Sequence, residues 1–279
     1  MTKFHQNAQR VTKIYFPQWQ GSGNGMAIEQ GAQTILEYLD DENIIHIPLS
    51  DAPSGANGKQ QHHINNFDAI NQQLSGFKSY IKRAHPTKIQ VIGGDCGLEI
   101  VPVSYLNKKY PNLGVIWFDA HADINRPCDS PSWNFHGMPL RTLLGDGEPA
   151  MKHLLFSKLH PSQIHYVGLR DIDTMEQEFI AKENIYAPRK LNTENLIHTL
   201  HQKEITHVYL HFDFDCLEPG EYDKTYYQVP DGLSIQESEN CVKALQKNFE
   251  VVGSSVLESI AKHQDGLAPI TGIIEAFMK

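Results

Sequence analysis

The chain has 279 residues, 40% hydrophobic and 20% charged, with a formal net charge of −9. That length supports a well-filled core, and the acidic balance argues against a nucleic-acid surface, because a phosphate backbone calls for basic groups. No apolar run nears the roughly 18 residues that span a bilayer, residues 1–10 are too polar for a secretory leader, and the four cysteines form no C-x-x-C pair, so a cytoplasmic, reducing setting is expected.

Residues 11–16 read as a first strand. A glycine-rich loop at 21–25 precedes a helical period over 27–39. No lysine or full P-loop spacing follows, which favours a strand-to-helix turn over a phosphate cradle. Residues 44–47 form a short second strand. Residues 49–66 form a polar loop with His62-His63, read as an active-site rim or a plain solvated loop. A helix over 67–84 leads to a strand at 88–92 and then to Gly93-Gly94-Asp95-Cys96-Gly97. Residues 98–109 read as helix, with Pro102 in the first turns. The strand 113–118 runs into Asp119-Ala120-His121-Ala122-Asp123. A long loop to Asn134 precedes His136-Gly137-Met138-Pro139 and a helix near Leu140. A strand at 164–169, Arg170-Asp171-Ile172-Asp173, and helices at 174–183 and 193–203 follow. Next come a strand at 207–212 and Asp213-Phe214-Asp215. Ser234 and Glu237 carry the capping-box spacing for a helix over 234–247. A strand at 251–257, Glu258 and a final helix at 266–277 complete the order.

Strands alternate with helices throughout, which implies an α/β fold: a mainly parallel sheet with helices on both faces. The runs Val115-Ile116-Trp117-Phe118 and Val208-Tyr209-Leu210 are continuously apolar, as strands buried on both faces are. No linker or internal repeat interrupts the pattern, so one domain over 1–279 is expected.

Polar clusters follow four of the predicted strands, and ligands of open parallel sheets bind beyond the carboxyl ends of strands. In an extended segment residues i, i+2 and i+4 share a face. Asp119, His121 and Asp123 can therefore converge on one point, and Asp213 and Asp215 repeat the spacing. One Asp alone is as readily a helix N-cap, but several crowded at a sheet end repel one another and call for a cation. Oxygen-rich ligation with one imidazole favours Mn²⁺ or another hard divalent ion. Two ions sharing carboxylates would lower the pKa of a water between them.

These motifs resemble those of the arginase/agmatinase (ureohydrolase) family. In the family's order they are GGDCG at 93–97, DAHADIN at 119–125, NFHGMP at 134–139, VGLRDID at 167–173, HFDFDCLEP at 211–219, the weaker DGL at 231–233, and Glu258. The resemblance implies a three-layer α/β/α fold and a dinuclear Mn²⁺ site. The first ion would take Cys96, Asp119, Asp123 and Asp213; the second would take His121, Asp119, Asp213 and Asp215. A metal-bridging hydroxide would attack a guanidinium carbon. Asp123 would sit beside that chemistry, Glu258 would clamp the guanidinium, and His136 would shuttle a proton to the leaving amine. Asn125, Ser132, Asn134 and Asp173 match positions that recognise the α-carboxylate and α-amino groups. That pattern resembles arginase more than agmatinase, and a trimer or hexamer is expected on resemblance.

Cys96 stands where the family normally has His. A small branch with Cys here is associated with Nω-hydroxy-L-arginine, giving ornithine and hydroxyurea. Thiolate is soft and Mn²⁺ hard, so weaker binding at the first site is expected. His211 replaces the usual Ser, and Glu218 the usual Asp, both expected at the metal rim. The stretch 220–229 departs from the usual substrate loop, and Trp133, beside Ser132, is expected to narrow the pocket. The leading expectation is an amidinohydrolase acting on L-arginine or its Nω-hydroxy derivative. The alternatives are a hydrolase of agmatine or formiminoglutamate, and a metal-poor, non-catalytic ligand-binding homologue.

Overall fold

The structure, a computed structural model, describes residues 11–23, 25–49 and 60–278. The reading of residues 1–10, and most of the polar stretch after residue 49, lies outside them. Seven strands form one sheet: β1 (Val11–Phe16), β2 (Ile45–His46), β3 (Lys88–Gly93), β4 (Gly114–Phe118), β5 (Ile164–Val167), β6 (His207–Asp213) and β7 (Glu250–Leu257). Their order is β2-β1-β3-β7-β6-β4-β5, and every neighbouring pair is parallel.

Strand parity builds the three layers. Val115 and Trp117 of β4 enter one hydrophobic cluster, and Ile116 and Phe118 enter the other. The first cluster is completed by α2 (Phe67–Ala84), α3 (Ile100–Lys109), α4 (Pro139–Leu143) and α5 (Thr174–Lys182). The second is completed by α1 (Ala27–Leu39), α6 (Thr193–Gln202), α7 (Ile235–Asn248) and α8 (Thr271–Met278). A period of two thus sends successive side chains into opposite cores, and both faces of the sheet are covered. Burying each large apolar side chain contributes about 1.5–3 kcal/mol, so the doubly covered strands are rigid supports for the loops at their ends.

Two boundaries differ from the sequence reading. The expected final helix at 266–277 is a 3₁₀ segment, Gln264–Ile270, followed by α8, because Pro269 lacks the N–H an α-helix needs there. The expected helix at 98–109 opens as a 3₁₀ turn, Cys96–Glu99, before α3 begins. That turn decides where Cys96 points. Residues 20–22 of the glycine loop region form a turn, and the Gly21 N–H donates to Asp95 Oδ2 at 2.8 Å. No helix among the described residues is long and apolar enough to cross a membrane.

Candidate metal centre and substrate pocket

Strands β3, β7, β6 and β4 are contiguous in the sheet, and their C-terminal ends carry Cys96, Glu258, Asp213 with Asp215, and the 119–123 segment. Close approach at β3 requires glycine. A Cβ on Gly94 would lie 1.8 Å from the Gln18 carbonyl oxygen, which the Asp95 N–H reaches at 2.6 Å. Asp95 is buried; it accepts from Gly21 and Gly97 N–H and so holds the turn that carries Cys96. Burial, reinforced by Glu258, pushes its carboxyl up to about 7.

The loops are stitched through backbone N–H groups. Asp119 accepts from the His121 N–H at 2.7 Å and from the Trp117 indole N–H at 3.0 Å. Asp215 accepts from the Ala120 N–H at 3.0 Å, and its own N–H donates to Asp213 at 2.8 Å. The 119–123 segment is not extended throughout. Asp123 adopts φ 52°, so it reaches the cluster through a left-handed turn rather than by strand alternation. Asp213 closes β6, whereas Asp215 sits in a 3₁₀ turn.

Three groups of ligand-type atoms, each within 4.8 Å of one another, result: Cys96, Asp119, Asp123 and His211; Cys96, Asp213 and Glu258; and Asp119, His121 and Asp215. His121 Nδ1 lies 2.9 Å from Asp215 and 3.5 Å from Asp119. Asp213 lies with Cys96, whose thiol donates to it at 3.3 Å, rather than with His121.

The electrostatics ask for a cation. Burial, and then neighbouring carboxylates, push Asp123 and Asp213 well above the usual carboxylate range and Asp215 up to about 6. Burial and the same carboxylates push the Cys96 thiol up. Against burial, His121 and His211 hold Asp119 below the usual range. Asp123 Oδ2 is buried with no hydrogen-bond partner among the described residues. A divalent ion neutralises such a cluster and satisfies that oxygen, so the residues fit a metal.

A cavity of about 230 Å³ opens beside the cluster, lined by His121, Asp123, Asn125, Ser132, His136, Asp173, Asp213, Asp215 and Tyr227 among others. It is smaller than the roughly 300–1,000 Å³ of drug-sized pockets, which suits a small polar molecule. Asp173 caps α5 and accepts from the Asn125 amide at 2.9 Å; Asn125 Oδ1 is left buried and unpartnered. The hydroxyls of Ser130 and Ser132 lie 3.4 Å apart at the wall. His136 Nδ1 is 3.3 Å from Glu258 Oε1, and that carboxylate raises the imidazole's pKa against the opposing effect of burial. Glu258 also accepts from the Cys96 N–H at 3.2 Å and joins Cys96 and Asp213 in a metal-capable group.

Four expectations are corrected. Asn134 does not line the cavity; its amide is tied to Ser22 O and Asn65. Trp133 does not narrow the pocket. With φ 59° its side chain turns outward, 42% exposed and edge-on to His63. Glu218 stands away from the metal-capable groups and accepts from the Gly232 N–H at 2.8 Å. His211 is not at a rim but fully buried within the cluster.

Sequence reading missed Glu99, Trp117 and Glu176, which brace the site. Glu176 accepts from the Ile124 and Asp173 N–H groups. His211 was expected at the rim, but its strand parity with Asp213 and Tyr209 already pointed it into the cluster.

A model described as the arginase family matches residues 20–265. An arginase of Staphylococcus aureus (strain MRSA252) is 38% identical over 177 residues, covering 60% of this chain and 59% of that protein. An arginase of Schizosaccharomyces pombe is 34% identical over 178 residues, covering 60% and 55%. The chain thus matches less than two thirds of the length of these curated relatives. The solved Entamoeba histolytica arginase in complex with L-ornithine superposes with a TM-score of 0.83 at 25% identity, covering 96% of this chain and 98% of that one. A putative agmatinase from Clostridium difficile, at 16% identity and a TM-score of 0.68 over 95% and 92% of the two chains, shares the fold.

Proposed function

The chain belongs to the arginase family, and from that premise we propose that it hydrolyses the guanidino group of an arginine-like α-amino acid. The substrate is L-arginine or Nω-hydroxy-L-arginine, and the products are ornithine with urea or hydroxyurea. The observation that carries this reading is the buried carboxylate cluster, with the orphaned Asp123 Oδ2, opening onto a cavity also lined by Asn125, Ser130, Ser132 and Asp173. Two divalent ions, Mn²⁺ by the hardness of most donors, would be held by Cys96, Asp119, Asp123, His121, Asp213 and Asp215. They would supply charge neutralisation and a lowered water pKa.

The remaining work falls to side chains. Glu258 offers its carboxylate to the planar, cationic guanidinium, which a carboxylate recognises well. Water adds to the guanidinium carbon as its proton passes to the Asp123 carboxylate, whose Oδ2 has no hydrogen-bond partner among the described residues, and the bond to the chain nitrogen breaks. His136, whose pKa Glu258 raises against the opposing effect of burial, gives its proton to that departing amine. Asp173 and the unpartnered Asn125 Oδ1 are acceptors for an α-ammonium group, and the Ser130 and Ser132 hydroxyls are donors for an α-carboxylate. Agmatine would use the first pair and leave the serines without an anion, so an α-amino acid is the better fit.

The test assays Mn²⁺-loaded protein for urea or hydroxyurea from L-arginine, Nω-hydroxy-L-arginine and agmatine, and for formamide from formiminoglutamate. Product from either amino acid carrying a guanidino group is expected. Turnover of agmatine or formiminoglutamate alone would overturn the substrate assignment, and no turnover of any would overturn the activity.

A further inference from the structure

His211 occupies a place that a structural histidine rarely does. It lies in β6, and Cys96 lies in the turn after β3, two strands away across β7. The two residues are nonetheless in contact: His211 Nε2 is 3.7 Å from Cys96 Sγ and 3.6 Å from Asp119 Oδ2. Ligand atoms of a four-coordinate ion with bonds of about 2.0–2.3 Å stand roughly 3.3–3.8 Å apart, so both separations suit shared coordination. With Asp123 the four side chains keep within 4.8 Å of one another, and all four are buried. Asp123 also carries a buried carboxylate oxygen, Oδ2, with no hydrogen-bond partner among the described residues.

The far side of the imidazole is equally specific. His211 Nδ1 is 2.9 Å from Glu99 Oε1. Glu99 is fully buried and also accepts from the Tyr209 and Ser255 hydroxyls, so it is anchored as an acceptor. The Trp117 indole stacks on the ring at 3.4 Å and 6°, and donates its N–H to Asp119. A carboxylate on one ring nitrogen, a fixed ring plane and the other ring nitrogen facing a carboxylate–thiol cluster make up the surroundings of a metal-ligating histidine. The competing arrangement is a histidinium that merely bridges Glu99 and Asp119.

We propose that His211 is a ligand of the buried metal site together with Cys96, Asp119 and Asp123, returning from β6 the imidazole that position 96 lacks. This rests on the metal centre proposed above and adds a ligand to it. The resulting donor set of one nitrogen, one sulfur and carboxylates is softer than an all-oxygen set, so this site also accepts Co²⁺ readily.

Co²⁺ is therefore the probe. The full chain with ¹⁵N-labelled histidine is loaded with Co²⁺ alone and followed by absorption and paramagnetic NMR. The expected result is a thiolate-to-Co²⁺ charge-transfer band together with a slowly exchanging, strongly shifted ring N–H, protected by Glu99. That N–H should vanish in His211→Phe, which keeps a ring against Trp117. The same variant should bind the ion at the thiolate-bearing site more than about 100-fold more weakly, beyond what loss of an outer hydrogen bond costs. The Co²⁺ signals of His121 should persist. A charge-transfer band without any shifted His211 resonance would overturn the proposal and leave the metal centre standing, whereas no Co²⁺ binding at all would overturn both. The wild-type spectra decide the matter even if His211→Phe fails to fold.

Discussion

Arg170 is the fastener between the substrate pocket and the sheet, and replacing it with Met should be costly. Its guanidinium reaches six carbonyl oxygens, those of Gly168, Asp215, Cys216, Leu217, Val229 and Pro230. These tie the end of β5 to the turn bearing Asp215 and to the loop that ends at Val229. A hydrogen bond from a charged donor contributes about 1.5–3 kcal/mol net, but the contacts share five N–H groups and the side chain is half-buried. Taking the two shortest, to Val229 at 2.7 Å and Asp215 at 2.8 Å, at the low end leads to a loss of about 3 kcal/mol. For a chain of this size that lowers Tm by roughly 6–12 °C. Arg170→Lys keeps the charge but not the planar fork, and should lose about half as much. Urea unfolding followed by circular dichroism, in chelator so that metal binding adds nothing, measures both. A loss under about 1 kcal/mol for Met, or a Lys variant equal to wild type, would refute the reasoning.

Three further outcomes are expected. His165 is buried with Nδ1 on the Gln163 carbonyl and Nε2 against Lys203; burial and then that ammonium push its pKa down to about 3. A folded-state pKa below the ordinary 6.5 means that the neutral ring contributes stability above pH 6.5 and loses it as pH falls below. The stability difference between wild type and His165→Gln should therefore shrink by about 1.4 kcal/mol at pH 5.5 relative to pH 7.5, measured by urea unfolding; a pH-independent difference would contradict the assignment. A Cβ on Gly31 would lie 1.8 Å from the backbone oxygen of Ser259, next to Glu258, so Gly31→Ala should push α1 from the sheet end and cost upwards of about 1–3 kcal/mol by thermal unfolding. His136→Asn should lower kcat for an arginine substrate by roughly 10²–10⁴-fold with little change in Tm; an unchanged kcat would remove His136 from proton transfer.

Much of the architecture was legible because it is written locally. The continuously apolar runs 115–118 and 208–210 announce strands buried on both faces, and the alternation of helix and strand announces a parallel sheet. Polar residues directly after those strands had to gather at one edge, which is why Cys96, the 119–123 segment, Asp213 and Asp215 could be named together, while Glu258 came from the family resemblance. Where the local rule failed, backbone conformation was the reason. Asp123 and Trp133 both take left-handed φ, so one turns into the cluster and the other away from the cavity.

Sequence alone determined which residues stand at the strand ends, since a strand's parity and its last residue are properties of a few consecutive positions. Only the tertiary structure decided which of them share a site. Cys96 and His211 are separated by 115 positions, and their contact depends on the sheet order β3-β7-β6, which no local pattern encodes. The same holds for Glu99, Tyr209 and Ser255, which come from a 3₁₀ turn and two strands to hold one imidazole. Whether a buried carboxylate repels its neighbours or orients them is set by these distances, because at low dielectric a shift of a few ångströms reverses which interaction dominates.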